Sequence, residues 1–431
     1  FKGLSSEIIY MKDLQEKSGV KMEVIRHGKY KSAVEPFLAQ EMSPENREQM
    51  TVLLNSVWNT IVADISKSRK LSVAQLNAIA NTLGARTPEL ALANKLVDKV
   101  AYEDEYHDMI RAKLKVDKKE KYDIVSITDY AKKASSTVED YSKDDIIAVI
   151  YAQGEIAGGE GDVNVIGEGS IKRSLQEARD DKDVKAIVLR VNSPGGSALT
   201  SELIWREIEI TKKVKPVVVS MGNYAASGGY YIAANADRIF AEPNTITGSI
   251  GVFGMLPNMN QLGKNIGINA EQVKTHENAS GYSVFEPIDE NFKGFVLESI
   301  EKTYATFLKR VADGRKMTTE QVDAIAQGRV WTGVDAHKLG LVDEIGGLDA
   351  AIKYAAKLGK TSSYRTENYP EYEKNFEDLL ANFTGIAMFK TKEQLLKEQL
   401  GEEGFQMLEQ IKRVKSRKGI QAIMPYEIVI N

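Results

Sequence analysis

Three short apolar runs in the middle of the chain, each followed by a glycine-rich or hydroxyl-rich turn, most constrain its fold. The runs cover residues 184–191, 216–221 and 238–241. Apolar runs of this length, bounded by turn residues, are typical of strands that are buried on both faces. Because strand, turn and short helix recur, we predict an α/β fold in which repeated ββα units stack around a parallel sheet, and not a simple alternating Rossmann sheet.

The turn after the second run carries a candidate nucleophile, Ser227. Residues 223–232 read Asn-Tyr-Ala-Ala-Ser-Gly-Gly-Tyr-Tyr-Ile. A serine between a strand and a helix exposes its hydroxyl beside free backbone N–H groups, which is the geometry that a nucleophile needs. The motif differs from the Gly-x-Ser-x-Gly turn of the α/β-hydrolases, so we expect a different fold. The competing interpretation is that these small residues only let a helix pack closely on the sheet.

Two further turns offer groups that would assist such a serine. Residues 192–197 read Asn-Ser-Pro-Gly-Gly-Ser, and Ser197 is predicted to cap the helix that follows. The N–H groups of Gly195 and Gly196 have no side chain beside them, so this turn could form an oxyanion hole. It could equally cradle a phosphate or simply reverse the chain. The turn after the third run reads Thr-Gly-Ser-Ile-Gly and contains Ser249.

A serine nucleophile needs a base, and the candidates are histidine and lysine. The sequence pattern predicts a glycine-framed turn or a strand end at none of the four histidines, which are residues 27, 107, 276 and 337. Lysine serves as a base when burial lowers its pKa. Residues 27–37 contain Lys29 and Lys31, which would share one face of an extended strand, so the local sequence leaves both open. Each would otherwise be an ordinary surface charge.

An internal repeat favours a site shared between two halves of the chain. Residues 68–80 match residues 314–326 at an offset of 246, and the Glu-Pro pair at 35–36 matches the pair at 286–287 at an offset of 251. At the second offset Lys31 falls on Tyr282. The earlier copy therefore has the lysine and the later copy has the serine, which predicts a site assembled between the copies.

Four segments carry a resemblance to a known family. Tyr-Lys-Ser-Ala-Val-Glu-Pro, Asn-Ser-Pro-Gly-Gly, Ala-Ala-Ser-Gly-Gly-Tyr and Thr-Gly-Ser-Ile-Gly occur in the order of the signal peptide peptidase A (protease IV) family. With the repeat, the chain resembles the long, tandem-duplicated bacterial type, which implies a Clp protease/crotonase-like fold. The resemblance also implies the site: Ser227 as nucleophile, Lys31 as general base, Ser249 orienting the lysine amine, and oxyanion donors on Gly228 and on Gly195 or Gly196.

The same resemblance also implies the substrates, the oligomeric state and the cellular location of the protein. It predicts a serine endopeptidase that degrades cleaved signal peptides and other apolar, extended peptides. It implies a homo-oligomer, a tetramer with a bowl shape, at the bacterial inner membrane with the catalytic part on the extracytoplasmic side. The family has a complete first copy behind a membrane anchor, whereas Phe1 of this chain lines up with Phe253. We therefore expect a fragment or processed form, truncated in its first copy, with the membrane segment upstream.

The predicted organisation has four parts. Residues 1–110 form the C-terminal part of the first repeat with the catalytic lysine, and residues 111–145 form a connecting arm with a short strand at 122–127. Residues 146–357 form the second repeat with the nucleophilic serine. Residues 358–431 form an extension with an amphipathic helix near 392–415 and a terminal strand at 420–430.

Composition narrows the alternatives. A net charge of −4 without a basic stripe argues against nucleic acid as a partner, and the absence of cysteine excludes thiol catalysis and thiolate metal sites. No histidine or carboxylate cluster has metal-ligand spacing, so we expect neither metal nor cofactor. Two other functions remain: a crotonase-like acyl-CoA enzyme with a carboxylate base, and a catalytically inactive scaffold of the same fold.

Overall fold

The computed structural model describes residues 1–117, 119–136, 145–279, 281–370 and 420–424. Its strands are β1 (Lys21–His27), β2 (Asp145–Gln153), β3 (Glu155–Ala157), β4 (Gly161–Asp162), β5 (Val165–Gly167), β6 (Val184–Ser193), β7 (Gly195–Ser197), β8 (Val217–Ala226), β9 (Arg238–Ala241), β10 (Ile246–Gly248), β11 (Val252–Asn258), β12 (Val330–Thr332), β13 (Glu344–Ile345), β14 (Tyr364–Tyr369) and β15 (Ile420–Ile423). Its helices are α1 (Lys12–Ser18), α2 (Glu35–Leu38), α3 (Pro44–Arg69), α4 (Val73–Asn81), α5 (Pro88–Ala93), α6 (Glu103–Leu114), α7 (Ile127–Ser136), α8 (Glu168–Asp180), α9 (Ala198–Lys212), α10 (Gly228–Ala233), α11 (Asn260–Asn265), α12 (Glu290–Arg315), α13 (Thr319–Ile325), α14 (Gly333–Lys338) and α15 (Leu348–Leu358), with a 3₁₀ turn at Ser32–Val34.

The larger sheet is mainly parallel and is buried on both faces. Its order is β12-β10-β8-β6-β2-β14, with β9 paired to β8 and to β13. The pairings from β14 through β2, β6 and β8 to β10 are all parallel. Neighbouring residues of β2 alternate between the two faces: Ile146 packs in a core with α8, α9, α10 and α12, and Ile147 packs against α15. This two-sided burial explains the continuous apolar runs in the sequence.

The smaller sheet joins distant parts of the chain. Its order is β1-β11-β15-β7-β3-β5-β4. Strand β1 runs antiparallel to β11 along its whole length, from the pair Lys21–Asn258 to the pair His27–Val252. Strand β15 lies between β11 and β7 and is antiparallel to both. The N-terminal residues are therefore held beside the turns that follow the parallel strands.

Helix α3 makes a second junction between the N-terminal residues and the later part of the chain. It begins with Pro44, and the Ser43 hydroxyl accepts the N–H of the third residue of the helix, as expected of an N-cap. Further along α3, the Ser56 hydroxyl lies 2.8 Å from the Thr332 hydroxyl and donates to the Asp335 carboxylate at 2.6 Å. Helix α3 is thereby attached to the end of β12 and the start of α14.

Most of the predicted elements in the central part are confirmed. The three apolar runs form β6, β8 and β9, and the first two strands extend into the turns that follow them. Ser197 caps α9, accepting the N–H of Thr200 at 3.3 Å. Helix α10 begins directly after Ser227. The expected α/β class with a central parallel sheet is also confirmed.

Two sequence expectations are wrong. Residues 122–126 form no strand; α7 begins at Ile127 because the Ser126 hydroxyl accepts the Asp129 N–H at 3.0 Å and caps it. Residues 195–197 form strand β7 and not a simple turn, since they pair with β15 and β3. The amphipathic helix expected at 392–415 lies outside the described residues, as does the terminal strand beyond residue 424. Among the described helices, none has the length and apolar character needed to cross a membrane.

Candidate active site

Lys31, Ser227 and Ser249 meet in the interior, although 196 residues separate the first two. The Lys31 amine nitrogen lies 2.9 Å from the Ser227 hydroxyl oxygen. It also lies 3.0 Å from the Ser249 hydroxyl and 3.2 Å from the Ser249 carbonyl oxygen. All three residues are fully buried, at 0% exposure. The three residues singled out by the sequence are thus brought into one hydrogen-bonded cluster.

The chain turns between the two candidate lysines, so they do not share a face. Strand β1 ends at His27, and the Lys31 N–H donates to the Gly28 carbonyl at 3.3 Å just before the 3₁₀ turn. Lys29 is exposed, and its amine lies 5.2 Å from the centre of the Tyr30 ring. Lys31 is the lysine that points inward.

Burial controls the charge of the Lys31 amine. Complete desolvation holds the pKa of Lys31 well below its ordinary value of 10.5, and among the described residues no acidic group opposes this shift. The centre of the Phe253 ring lies 5.9 Å from the amine. The lysine stem packs against Gly251 and Gly328, where an added Cβ would come within 3.2 Å of Lys31 Cδ and 2.6 Å of Lys31 Cβ respectively. This environment favours a neutral amine.

Ser227 occupies a backbone conformation that non-glycine residues rarely adopt, with φ 56° and ψ −117°. Its N–H donates to the Gly248 carbonyl at 2.8 Å, which ties it to the turn that carries Ser249. Ser249 also has a positive φ, 48°, and its own N–H donates to the Arg329 carbonyl at 2.6 Å. The strand-to-helix geometry expected for the serine is present, and backbone hydrogen bonds keep both serines facing the lysine.

Gly195, Gly196 and Gly228 converge next to Ser227. A Cβ on Gly195 would lie 2.8 Å from the Gly228 nitrogen, and a Cβ on Gly228 would lie 3.2 Å from the Gly196 nitrogen. The Gly195 N–H is already used, since it donates to the Ser193 hydroxyl at 3.1 Å. The backbone segments at these glycines therefore approach one another too closely to leave room for side chains. The backbone nitrogens of Gly196 and Gly228 are close neighbours, and we call the space bounded by the three glycines the glycine hollow.

Sequence reasoning missed the residues that hold the lysine loop, which comprises residues 28–31 between β1 and the 3₁₀ turn. Gln49 of α3 is buried and bridges the halves: its amide donates to the Tyr30 carbonyl at 3.3 Å and accepts the Val330 N–H at 2.9 Å. Glu35, also buried, accepts hydrogen bonds from Ser43 and from Asn46. The only sequence signal was the repeated Glu-Pro pair that contains Glu35. Nothing in the local sequence marks Gln49, because its role depends on contact across the junction.

The histidines are used elsewhere. His27 stacks on Tyr304 with ring centres 3.9 Å apart and lies 2.8 Å from the Glu301 carboxylate. His337 contacts the Val342 carbonyl at 3.2 Å, and His276 is exposed. In the described parts of the chain none of the histidines is hydrogen-bonded to Ser227, and no group of three or more histidines and carboxylates is placed to hold a metal ion. Lys31 is the basic group in contact with the serine.

Comparison with known proteins places the chain in a family. The model of Peptidase family S49 matches residues 1–117 and 209–362. The chain belongs to peptidase family S49. The match in two separate stretches agrees with the duplication predicted from the repeat. The resemblance stated from the sequence is therefore confirmed at the level of the family.

Two bacterial proteins are similar to most of this chain in sequence. "Protease 4" of Haemophilus influenzae is 39% identical over 83% of this chain and 59% of its own length. "Protease 4" of Salmonella typhi is 38% identical over 89% of this chain and 62% of its own length. The S49 chain thus spans about three fifths of these relatives. Among solved structures, a ClpP1 mutant of Listeria monocytogenes matches 47% of this chain and 94% of that chain, with a TM-score of 0.32 and 16% identity.

Proposed function

We propose that this S49 chain is a serine peptidase in which Ser227 is the nucleophile and Lys31 is the general base. The observation that carries the proposal is a fully buried lysine amine 2.9 Å from the serine hydroxyl, with its pKa held well below 10.5 by desolvation. A neutral amine has two N–H groups and one lone pair. The Ser249 hydroxyl and carbonyl take the two N–H groups, which leaves the lone pair for the Ser227 proton.

The reaction follows from this arrangement. The Lys31 amine accepts the Ser227 proton as the serine oxygen attacks a peptide carbonyl carbon, and the N–H groups of Gly228 and Gly196 hold the resulting oxyanion. Gly196 is the better second donor because the Gly195 N–H is engaged by Ser193. The Lys31 ammonium then gives its proton to the leaving amine. Lys31 next takes a proton from a water that attacks the acyl-serine ester, and it returns that proton to the Ser227 oxygen as the ester bond breaks, which restores the free enzyme.

The substrates and setting that we propose are those of the family resemblance. They are cleaved signal peptides and other apolar, extended peptides, degraded by a tetramer attached to the bacterial inner membrane through a segment upstream of this chain. Apolar side chains beside the dyad support an apolar substrate: Val34 and Phe253 lie in one cluster next to the lysine loop, and Ala226 and Val330 lie in another next to the serine.

The test is hydrolysis of a fluorogenic apolar peptide by the wild type and by Lys31→Met, Ser227→Ala and Lys29→Met. We expect at least a roughly 1,000-fold loss of kcat/KM in the first two variants. The nucleophile and its base act as a unit, so the loss of either one removes most of the catalysis. Lys29→Met is the matched control and should retain wild-type activity because Lys29 is exposed. Retained activity in Lys31→Met would exclude the dyad.

The same assay separates the two alternative functions. A crotonase-like enzyme would bind coenzyme A and would not depend on Ser227 or Lys31, so a coenzyme A binding measurement belongs beside the peptide assay. An inactive scaffold would show no hydrolysis in the wild type. The buried, charge-suppressed lysine argues against a scaffold, since an amine buried for no chemical purpose only lowers stability.

A further inference from the structure

Strand β15 adds itself to the sheet at the candidate active site. It lies between β7, which contains Gly196 of the proposed oxyanion hole, and β11, which follows the Ser249 turn. It pairs antiparallel with both: Ala422 lies opposite Gly196, and Gln421 lies opposite Phe253. The addition of an extended peptide as a strand to a sheet edge is a common mode of peptide recognition, in which main-chain hydrogen bonds supply affinity.

The Ala422 carbonyl oxygen lies in the glycine hollow. It is 3.0 Å from the position of a Cβ on Gly228 and 2.1 Å from that of a Cβ on Gly195. The Met424 N–H donates to the Pro194 carbonyl. Hydrogen-bonded pairs alternate with non-hydrogen-bonded pairs in an antiparallel ladder, so the pair two residues along, Ala422 and Gly196, is also a hydrogen-bonded pair, in which the Gly196 N–H faces the Ala422 carbonyl. The carbonyl of Ala422 is therefore directed at the N–H groups that we propose to hold a substrate oxyanion.

The side chains after Ala422 fill the apolar clusters on either side of the dyad. Ile423, 3% exposed, packs in the cluster beside the lysine loop, with Val34, Phe253 and Met255. Met424, 6% exposed, packs in the cluster beside the serine, with members Met50, Leu53, Ala226, Ile246 and Val330. Backbone and side chains of residues 420–424 thus use both kinds of contact that a bound apolar peptide would make.

We propose that residues 420–424 occupy the substrate groove of their own chain and act as an intramolecular competitor of peptide substrates. The proposal rests on the proposed function, because it places the strand in the groove that serves the Ser227–Lys31 dyad. A tethered strand is present at high effective concentration, so it lowers the apparent affinity for free peptides in proportion to the time it is bound. Peptide hydrolysis requires it to leave.

A disulfide between β15 and β7 tests the proposal, because the chain has no cysteine of its own. Gln421 lies directly opposite Ser197 in the antiparallel register, and opposed side chains have Cβ atoms roughly 4.5–5.5 Å apart, within the range where disulfides form after small adjustment. The variant is Ser197→Cys with Gln421→Cys. The control is Asp162→Cys with Gln421→Cys, since β4 lies four strands from β15, roughly 19 Å away.

We expect the Ser197/Gln421 variant to lose its free thiols on mild oxidation and to hydrolyse the apolar peptide at least about tenfold more slowly, with recovery on reduction. Comparing one protein in two redox states removes any effect of the substitutions on folding. The control pair should keep its thiols and should hydrolyse the peptide at the same rate before and after oxidation. Failure of the cross-link to form, or a cross-linked protein that retains full activity, would overturn the proposal.

A second variant weakens the binding of residues 420–424 in the groove and needs no cross-link. Ile423→Asp puts a charge into the cluster beside the lysine loop and should lower the apparent KM for the free peptide several-fold at unchanged kcat. Ile345→Asp, on the half-exposed edge strand β13, is the charge-matched control and should change neither constant. An unchanged or higher KM in Ile423→Asp counts against the proposal. If the proposed function itself fails, the wild type hydrolyses no peptide, while thiol loss still reports whether the strand lies in the groove.

Discussion

At the scale of single residues, the chemistry depends on keeping one lysine neutral. Lys31 is wholly buried and hydrogen-bonded to Ser227 and Ser249, and no carboxylate of the described residues is paired with it. A nearby carboxylate would raise the pKa and hold the amine as an ammonium ion without a lone pair. Hydroxyl and carbonyl acceptors orient the amine while desolvation removes its charge. This combination distinguishes a lysine that can act as a base from a lysine that is charged in a buried ion pair.

The lowered pKa of Lys31 predicts a specific pH dependence. Because the neutral amine is the active form, kcat/KM should rise with pH through the pKa of Lys31, at a pH well below 10.5, and then level off. Between that pKa and the ordinary value the unfolded chain binds more protons than the folded one, so stability should also rise with pH in this window. Lys31→Met should remove the contribution of Lys31 to this increase of stability with pH.

The measurements are a pH profile of kcat/KM and denaturant unfolding at several pH values, with Lys29→Met as the control that keeps both profiles. A rate that increases only near pH 10.5 would show that burial does not lower the pKa of the base.

At the scale of elements, the site depends on turns packed so closely that only glycine fits. The Gly328 turn, before β12, crosses the lysine loop, and its φ of 82° lies in the left-handed region. A Cβ there would come within 2.7 Å of the Lys31 backbone nitrogen and Cα. Strand β1 brings the lysine loop to the site, and this turn keeps it against the serine turn.

Gly328→Ala should therefore displace Lys31 and lower kcat/KM by roughly 100-fold, the effect expected of a misplacement near 1 Å. The control is Gly281→Ala, which has a similarly positive φ of 53° but no atom within 4 Å of an added Cβ. Both variants carry the backbone strain, and only the first carries the steric contact with the base. Equal activity in the two variants would contradict the proposed packing role of Gly328.

At the scale of the whole molecule, a parallel sheet with apolar cores on both faces supports the site. Leu175 of α8 is fully buried in the core that also contains residues of β2, β6 and β8. The site lies where β8 ends and α10 begins, so its turns are anchored by this core. The rare backbone conformation of Ser227 requires such support, since strained residues persist only where the surrounding structure over-determines them.

Leu175→Ala should lower the free energy of unfolding by about 2–5 kcal/mol, because it leaves a cavity in a packed core. Leu199→Ala, in the same sheet-covering layer but 70% exposed, should change it by less than about 0.5 kcal/mol. Urea unfolding at one pH measures both. A small effect in Leu175→Ala would show that the core around α8 relaxes or is not cooperative with the rest of the fold.

The sequence by itself determined the parts that depend on local pattern. Continuous apolar runs predicted β6, β8 and β9, and turn chemistry predicted the cap at Ser197 and the serine before α10. These features need only a few neighbouring residues, so their physical signal is contained in short segments. The repeat predicted that the lysine and the serine belong to different copies, and the family resemblance implied Lys31, Ser227 and Ser249 as the site residues.

Only the tertiary structure decided how these pieces meet. It separated Lys31 from Lys29 by a turn that the extended-strand reading did not foresee, and it brought Gln49 across the junction to hold that turn. It also turned residues 195–197 into a strand, because β15 from the far end of the chain pairs with them. Burial, pKa and strand pairing all depend on residues that are distant in sequence, and no local pattern records such contacts.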